Sequence, residues 1–111
     1  MDQSLMKGST AMLLLKLLDG RDLYGYQMIE ELRRQSDHTF DLKAGTLYPL
    51  LHTLEQQGLV TAWEERESLT RPRRYYHLTE EGRKALQVKE EEWNTYAKAV
   101  RKVLEGGACL A

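Results

Sequence analysis

The stretch KAGTLYPLLHTLEQQG, residues 43–58, decides the fold of this chain. Its leucines recur at the i, i+3, i+4, i+7 spacing of one helix face, and they are Leu47, Leu50, Leu51 and Leu54. Gly58 suits the left-handed position that ends a helix, so the spacing predicts a helix over about residues 43–57. Pro49 lies inside this helix and crowds the carbonyl of Gly45, so we expect distorted first turns but no break.

Segments on either side complete a small helical domain with a hairpin. Apolar runs between glycines predict helices over about residues 9–18 and 24–35. Residues 59–66 and 73–78 favour strands and predict a two-stranded hairpin. Three helices followed by a hairpin describe the winged helix, a helix-turn-helix variant in which the third helix enters the DNA major groove. We therefore expect a mainly α fold with a small β-hairpin, in which residues 1–78 form a winged-helix DNA-binding domain.

The C-terminal segment, residues 79–111, is predicted to be a dimerisation helix with a short tail. Thr79 is a good N-cap, and a helix from there to about Leu104 is roughly 39 Å long, more than the rest of the domain can cover. Its distal half carries an apolar stripe at heptad-like spacing, which consists of Trp93, Tyr96, Ala97, Val100, Val103 and Leu104. We expect a second copy of the chain to cover this stripe in a homodimer.

Composition excludes several classes of protein. The chain has 111 residues with 16 Lys and Arg against 17 Asp and Glu, so its net charge of −1 gives no global attraction to nucleic acid, and any such binding must use local charge. No apolar stretch approaches the ~20 residues of a membrane span. The first residues show no secretory signal, and the single Cys109 cannot form an internal disulfide. We expect a cytoplasmic protein without a membrane segment, metal or cofactor.

Two windows without acidic residues, 42–54 and 68–79, indicate the surface that meets DNA. The second window contains Arg71, Arg73 and Arg74, which can pair with phosphates or enter the minor groove beside the wing. We expect this part of the chain to be the wing.

The exposed face of the third helix carries the other candidate DNA contacts, which are Lys43, Thr46, Tyr48, Pro49 and His52. Lys43 can meet phosphate, whereas the hydroxyls and the imidazole can hydrogen-bond base edges or phosphates. Pro49 and the Thr46 methyl can pack on a thymine methyl. No outward Arg, Asn or Gln precedes Gln56, so we expect modest base readout with shape and symmetry supplying much of the specificity.

Several of these residues have a structural alternative. Tyr48 either reads DNA or covers its own helix, and Tyr26 either hydrogen-bonds a phosphate or packs internally. Trp93 is either interface packing or a platform for a ligand. We expect Trp63 to pack the hairpin on the helices, and we do not expect His77 to form a metal site.

The motifs LYGYQMI (23–29), GTLYPLL (45–51), LEQQGLV (54–60) and RRYYHLTEEG (73–82) together resemble those of PadR-type transcriptional regulators. The resemblance covers about residues 5–104 and is closest to the short-tailed subgroup, which has one C-terminal helix. It implies a homodimeric winged-helix repressor that binds an inverted-repeat operator in double-stranded DNA.

The resemblance also implies roles for particular residues. Tyr26, Thr46, Tyr48 and Pro49 fall on the family motif that meets DNA, and Arg73 and Arg74 fall on the wing. Trp93 matches a tryptophan that some short-tailed members place in a pore at the dimer centre. The resemblance therefore implies a planar aromatic effector that binds near Trp93 and releases DNA.

Two other classes of function are weighed against this hypothesis. A winged helix that binds proteins and not DNA is the alternative, and the arginine-bearing wing argues against it. An enzyme is disfavoured because the sequence shows no nucleophile–base pairing, phosphate-binding glycine loop or metal-ligand cluster. We therefore predict a DNA-binding regulator without catalytic residues.

Overall fold

The computed structural model describes residues 8–65 and 72–106, and it confirms a winged helix followed by one long helix. The elements in chain order are α1 (Thr10–Leu17), β1 (Leu23–Tyr24), α2 (Gly25–Gln35), α3 (Ala44–Gln56), β2 (Val60–Glu65), β3 (Arg73–Leu78) and α4 (Glu80–Leu104). Within the described ranges, no helix combines the length and apolarity that crossing a bilayer requires.

The sheet has three strands, so the expected two-stranded hairpin was incomplete. Strand β3 lies in the middle and pairs antiparallel with both neighbours, in the order β1-β3-β2. In β1, Leu23 pairs with Tyr76 and Tyr24 with Tyr75. A strand of two residues is too short to show an alternating pattern, and its partner strand lies far along the chain. Helix α2 consequently begins at Gly25, because Tyr24 belongs to the strand.

A leucine-rich core holds the helices and the sheet together. Its largest fully buried side chains are Leu14, Leu15, Leu18, Met28, Leu47, Leu51, Leu54 and Val60. Helix α3 contributes three of these leucines, as the spacing predicted, and continues unbroken through Pro49. Gly58 has a positive φ of 77°, which confirms the left-handed position after this helix. The buried leucine face of α3 leaves its opposite face outside.

Helix α4 starts at a tight junction with the segment that follows α3. The Thr79 hydroxyl accepts a hydrogen bond from the Gly82 amide at 2.9 Å, which confirms the predicted N-cap. The same hydroxyl lies 2.7 Å from the Gly58 carbonyl oxygen, to which it donates. Gly82 is buried so closely against the Leu59 backbone that a Cβ atom there would overlap the Leu59 carbonyl. The first turn of α4 is therefore fixed to the end of α3 and the base of the wing.

Candidate nucleic-acid interface

The exposed face of α3 presents the side chains that the sequence singled out. Thr46, Tyr48, Pro49 and His52 are all exposed on this helix, and Lys43 occupies its N-cap position. The buried leucines on the opposite side fix which way this face points. The structure thus leaves all five candidates of α3 exposed.

Tyr48 contacts the start of α2 and remains partly exposed. Its ring lies against Gly25 at the start of α2, where a Cβ atom would overlap the Tyr48 hydroxyl. The side chain is nevertheless 48% exposed. Tyr26, the next residue along α2, is 62% exposed, so it does not pack internally. Both tyrosines are therefore exposed near the start of α2, where Tyr48 of α3 contacts Gly25.

The start of β3 joins this surface through an aromatic contact. The Arg73 guanidinium carbon lies 4.9 Å from the centre of the Tyr24 ring. Tyr24 immediately precedes Gly25, which contacts Tyr48. Strand β3, the start of α2 and the exposed face of α3 are therefore linked by consecutive contacts, a relation that sequence spacing does not reveal. Arg71 lies outside the described residues.

The expected position of Trp63 was wrong. Its ring stacks on Tyr75 of the neighbouring strand, with centroids 4.6 Å apart and planes 11° from parallel, and it is 45% exposed. The indole Nε1 donates to Asp22 Oδ2 at 2.8 Å. Trp63 thus packs across the sheet instead of against the helices, because the β2–β3 register places it directly opposite Tyr75.

Asp22 also contacts His77, at 2.8 Å between Oδ1 and Nδ1. Asp22, Trp63 and His77 therefore form a hydrogen-bond cluster at the surface, in which Asp22 contacts both of the other side chains. Across the part of the chain that the structure describes, no group of three or more His, Cys, Asp or Glu side chains could hold a metal ion.

Carboxylates flank α3 on both sides, and basic residues pair with them. Before the helix, Asp41 lies 2.9 Å from Arg33 and 3.1 Å from Lys43. Arg33, followed by Lys43, lowers the pKa of the Asp41 carboxyl, and Asp41 in turn raises the pKa of the Arg33 guanidinium. In the last turn of the helix, Glu55 pairs with Arg74 at 3.1 Å. The acid-free windows do not reveal either pair, since Asp41 and Glu55 border the first window at its two ends.

The distal half of α4 presents a mostly exposed apolar surface within the part of the chain that the structure describes. Five of its predicted stripe residues are exposed, from 38% to 80%: Trp93, Tyr96, Val100, Val103 and Leu104. Ala97 is half-buried. Val88, in the first half of α4, is a further exposed apolar side chain, at 54%, and lies outside the heptad stripe.

Trp93 separates two open grooves between α1 and α4. One has a volume of 240 Å³ and is lined by Met12, Leu13, Lys16, Glu90, Trp93 and Asn94. The other, of 440 Å³, is lined by residues that include Met12, Glu92, Trp93 and Tyr96. An aromatic ring that forms a wall of both grooves is placed where a flat ligand could stack.

Comparison with known proteins agrees with this architecture. The model of the transcriptional regulator PadR-like family matches residues 14–88, which run from α1 through the wing into α4. The chain belongs to the PadR-like family of transcriptional regulators. Within this family it is a DNA-binding regulator of the winged-helix type, and the match includes both α3 and the wing strands.

Individual PadR-like relatives and structural neighbours extend over most of the chain. A transcriptional regulator of Mycobacterium tuberculosis is 38% identical over 85 residues, which is 77% of this chain and 73% of the relative. A transcriptional regulator from Clostridium thermocellum has a TM-score of 0.84 and 32% identity, covering 89% of this chain and 96% of its own. A PadR family regulator from Eggerthella lenta has a TM-score of 0.82 and 36% identity, covering 93% and 88% respectively.

Proposed function

We propose that this PadR-like regulator is a homodimeric repressor that binds an inverted-repeat operator in double-stranded DNA. The observation that carries the proposal is the exposed face of α3, which is backed by buried leucines and connected to Arg73 on the wing through Tyr24 and Gly25. A helix fixed in this way can enter the major groove while the wing meets the adjacent backbone. We place its action in the cytoplasm.

Each side chain of this surface has a chemical role in the proposal. The groups that meet phosphate or base edges are Tyr26, Lys43, Thr46, Tyr48, Pro49 and His52, and the basic residues of the wing are Arg71, Arg73 and Arg74. The side chain of Lys43 is 76% exposed and forms an ion pair with Asp41. Because exposed ion pairs are weak, replacing this pair by a contact between Lys43 and a phosphate costs little free energy. Thr46 and Pro49 offer methyl and ring surface to thymine.

The second half of the proposal is the dimer. We assign residues 1–78 to DNA binding and residues 79–111 to dimerisation, with the partner's copy of the stripe covering Trp93, Tyr96, Ala97, Val100, Val103 and Leu104. A twofold axis through paired α4 helices sets two α3 helices about one DNA turn apart, which matches inverted half-sites.

A mobility-shift titration with the upstream region of the protein's own operon tests DNA binding. Arg73→Ala should weaken binding uniformly across sequences and flatten the slope of log K against log salt by about 1.8, because the homodimer loses two phosphate contacts, each contributing about 0.9. Arg34→Ala is the matched control, since Arg34 is an exposed arginine that pairs with Glu31 near the end of α2. Equal salt slopes for the two variants would contradict the proposed role of the wing.

A planar aromatic effector that binds at Trp93 is the finer part of the proposal. The support is the position of the half-exposed ring between two grooves. The chain has two tryptophans, so Trp63→Phe leaves Trp93 as the only indole emitter. In that variant a planar aromatic compound should quench the emission and release DNA, whereas Trp93→Ala should abolish the release. Release that survives in Trp93→Ala would exclude this effector site.

A further inference from the structure

Glu55 is the one carboxylate that α3 carries, and its position creates an electrostatic problem for a helix that enters DNA. It lies in the last turn of the helix, and its side chain is 34% exposed. An unpaired negative charge there would repel the phosphates that flank the major groove.

Arg74 of the wing meets this carboxylate directly. Its Nη2 atom lies 3.1 Å from both Oε1 and Oε2 of Glu55. The guanidinium carbon also lies 5.8 Å from the centre of the Tyr76 ring, which is 4% exposed. Hydrogen bonding to Tyr76, followed by Glu55, raises the pKa of the Arg74 guanidinium. Arg74 is thus held on the side of β3 that faces the core and α3.

Arg73 is in a different environment, although it is the adjacent residue. Successive side chains of a strand point to opposite faces, and the described contact of Arg73 is the Tyr24 ring instead of a carboxylate. The two wing arginines of β3 therefore differ in the charge they can offer to DNA. Among the described residues no carboxylate lies within ion-pair distance of Arg73, although the strand register places Glu65 opposite it, whereas the charge of Arg74 is offset by Glu55.

We infer that Arg74 is a positioning residue for DNA binding: it neutralises the Glu55 carboxylate, so that Glu55 and Arg74 act as a unit. The inference rests on the proposed function. The side chains are 49% and 34% exposed, and exposed ion pairs of this kind contribute little to folding. The effect of the pair should therefore appear in DNA affinity and in its salt dependence more than in thermal stability.

A double-mutant cycle in the full chain separates this role from a direct phosphate contact. Arg74→Ala should lower operator affinity roughly fivefold, because it exposes the Glu55 charge to DNA. Adding Glu55→Gln to that variant should restore affinity to within about twofold of the wild type. Glu55→Gln alone should steepen the salt slope by about 1.8 and tighten binding to unrelated duplexes, since the freed Arg74 of each subunit can then meet a phosphate.

The outcomes of the cycle are distinct. If Arg74 contacts phosphate in the wild type, the double variant will bind as weakly as Arg74→Ala with a flattened salt slope, and the inference is wrong. If Glu55→Gln only weakens binding, the carboxylate has a purely structural role, which also overturns the inference. Thermal unfolding of each variant checks its fold, and Arg74→Gln replaces Arg74→Ala if the latter unfolds, with the same rescue expected. A wild-type chain that binds no duplex at low salt would instead overturn the proposed function itself.

Discussion

The two ends of α4 contain similar residues in very different surroundings. Near its start, Gly82 and Leu86 are buried against the segment after α3 and the rest of the body. Near its end, Val103 and Leu104 are 77% and 80% exposed. One continuous helix thus belongs to the folded body at one end and presents apolar surface to solvent at the other. The comparison implies that the first part stabilises the chain itself, whereas the second part can gain only from contact with another molecule.

The largest effect is expected at the buried start of the helix. Gly82→Ala should lower the free energy of unfolding by more than ~3 kcal/mol, because the new methyl group meets the Leu59 carbonyl, which belongs to the backbone and cannot rotate away. Chemical denaturation at fixed chain concentration measures the loss. Gly45→Ala is the control, since a Cβ atom there meets nothing within 4 Å, and alanine favours the helix. If both alanines are tolerated equally, the close packing of Gly82 is not needed for stability.

Replacing leucine by alanine at each end of α4 tests whether the two ends differ in what they stabilise. Leu86→Ala should cost about 2–3 kcal/mol of unfolding free energy, because Leu86 is 3% exposed and its removal leaves a cavity. Leu104→Ala should leave the stability of the single chain unchanged and weaken self-association by about 1 kcal/mol. Denaturation and sedimentation equilibrium give the two quantities separately. If the wild type stayed monomeric at every concentration, the proposed role of distal α4 in self-association would be wrong.

A smaller effect is expected at the junction that joins α4 to the body. Thr79→Val should cost about 1 kcal/mol, because the cap to Gly82 and the hydrogen bond to the Gly58 carbonyl are both lost. Thr79→Ser keeps the hydroxyl and should stay close to the wild type. The midpoint of thermal unfolding distinguishes them, and equal losses in the two variants would show that the hydroxyl is not what matters.

The smallest effect concerns an ion-pair cluster on the surface of the body. Hydrogen bonds from Gln35, Arg34 and Arg21 lower the pKa of Glu31 from 4.5 to about 2. Because the folded-state pKa is the lower one, the contribution of Glu31 to stability is complete above pH 4.5 and is lost as the pH falls towards 2. Glu31→Gln should therefore unfold at a slightly lower temperature than the wild type at pH 7, with the difference vanishing near pH 2. Glu31→Gln should leave self-association through distal α4 unchanged. If the difference in unfolding temperature between the two proteins grew in acid, the lowered pKa of Glu31 would be contradicted.

Much of the fold was predictable because the signals are local. The leucines of α3 repeat within two turns, and Gly58 ends that helix. Thr79 caps α4 through the amide of Gly82, only three residues further along the chain. Strand β1 was not predictable, since two residues carry no periodicity and become a strand only through their pairing with Tyr75 and Tyr76. The expected position of Trp63 failed for a similar reason, because its surroundings depend on the register of two strands.

The sequence by itself determined the order of the helices and of the two longer strands, the apolar face of α3 and the two windows that lack acidic residues. Only the tertiary structure decided which distant side chains meet. Glu55 and Arg74 are 19 residues apart, and Asp22 is 41 residues from Trp63 and 55 from His77. Periodicity and capping act over a few residues, whereas these contacts depend on how the strands and helices pack. The charge that the wing offers to DNA is therefore a property of the folded chain and not of its arginine content.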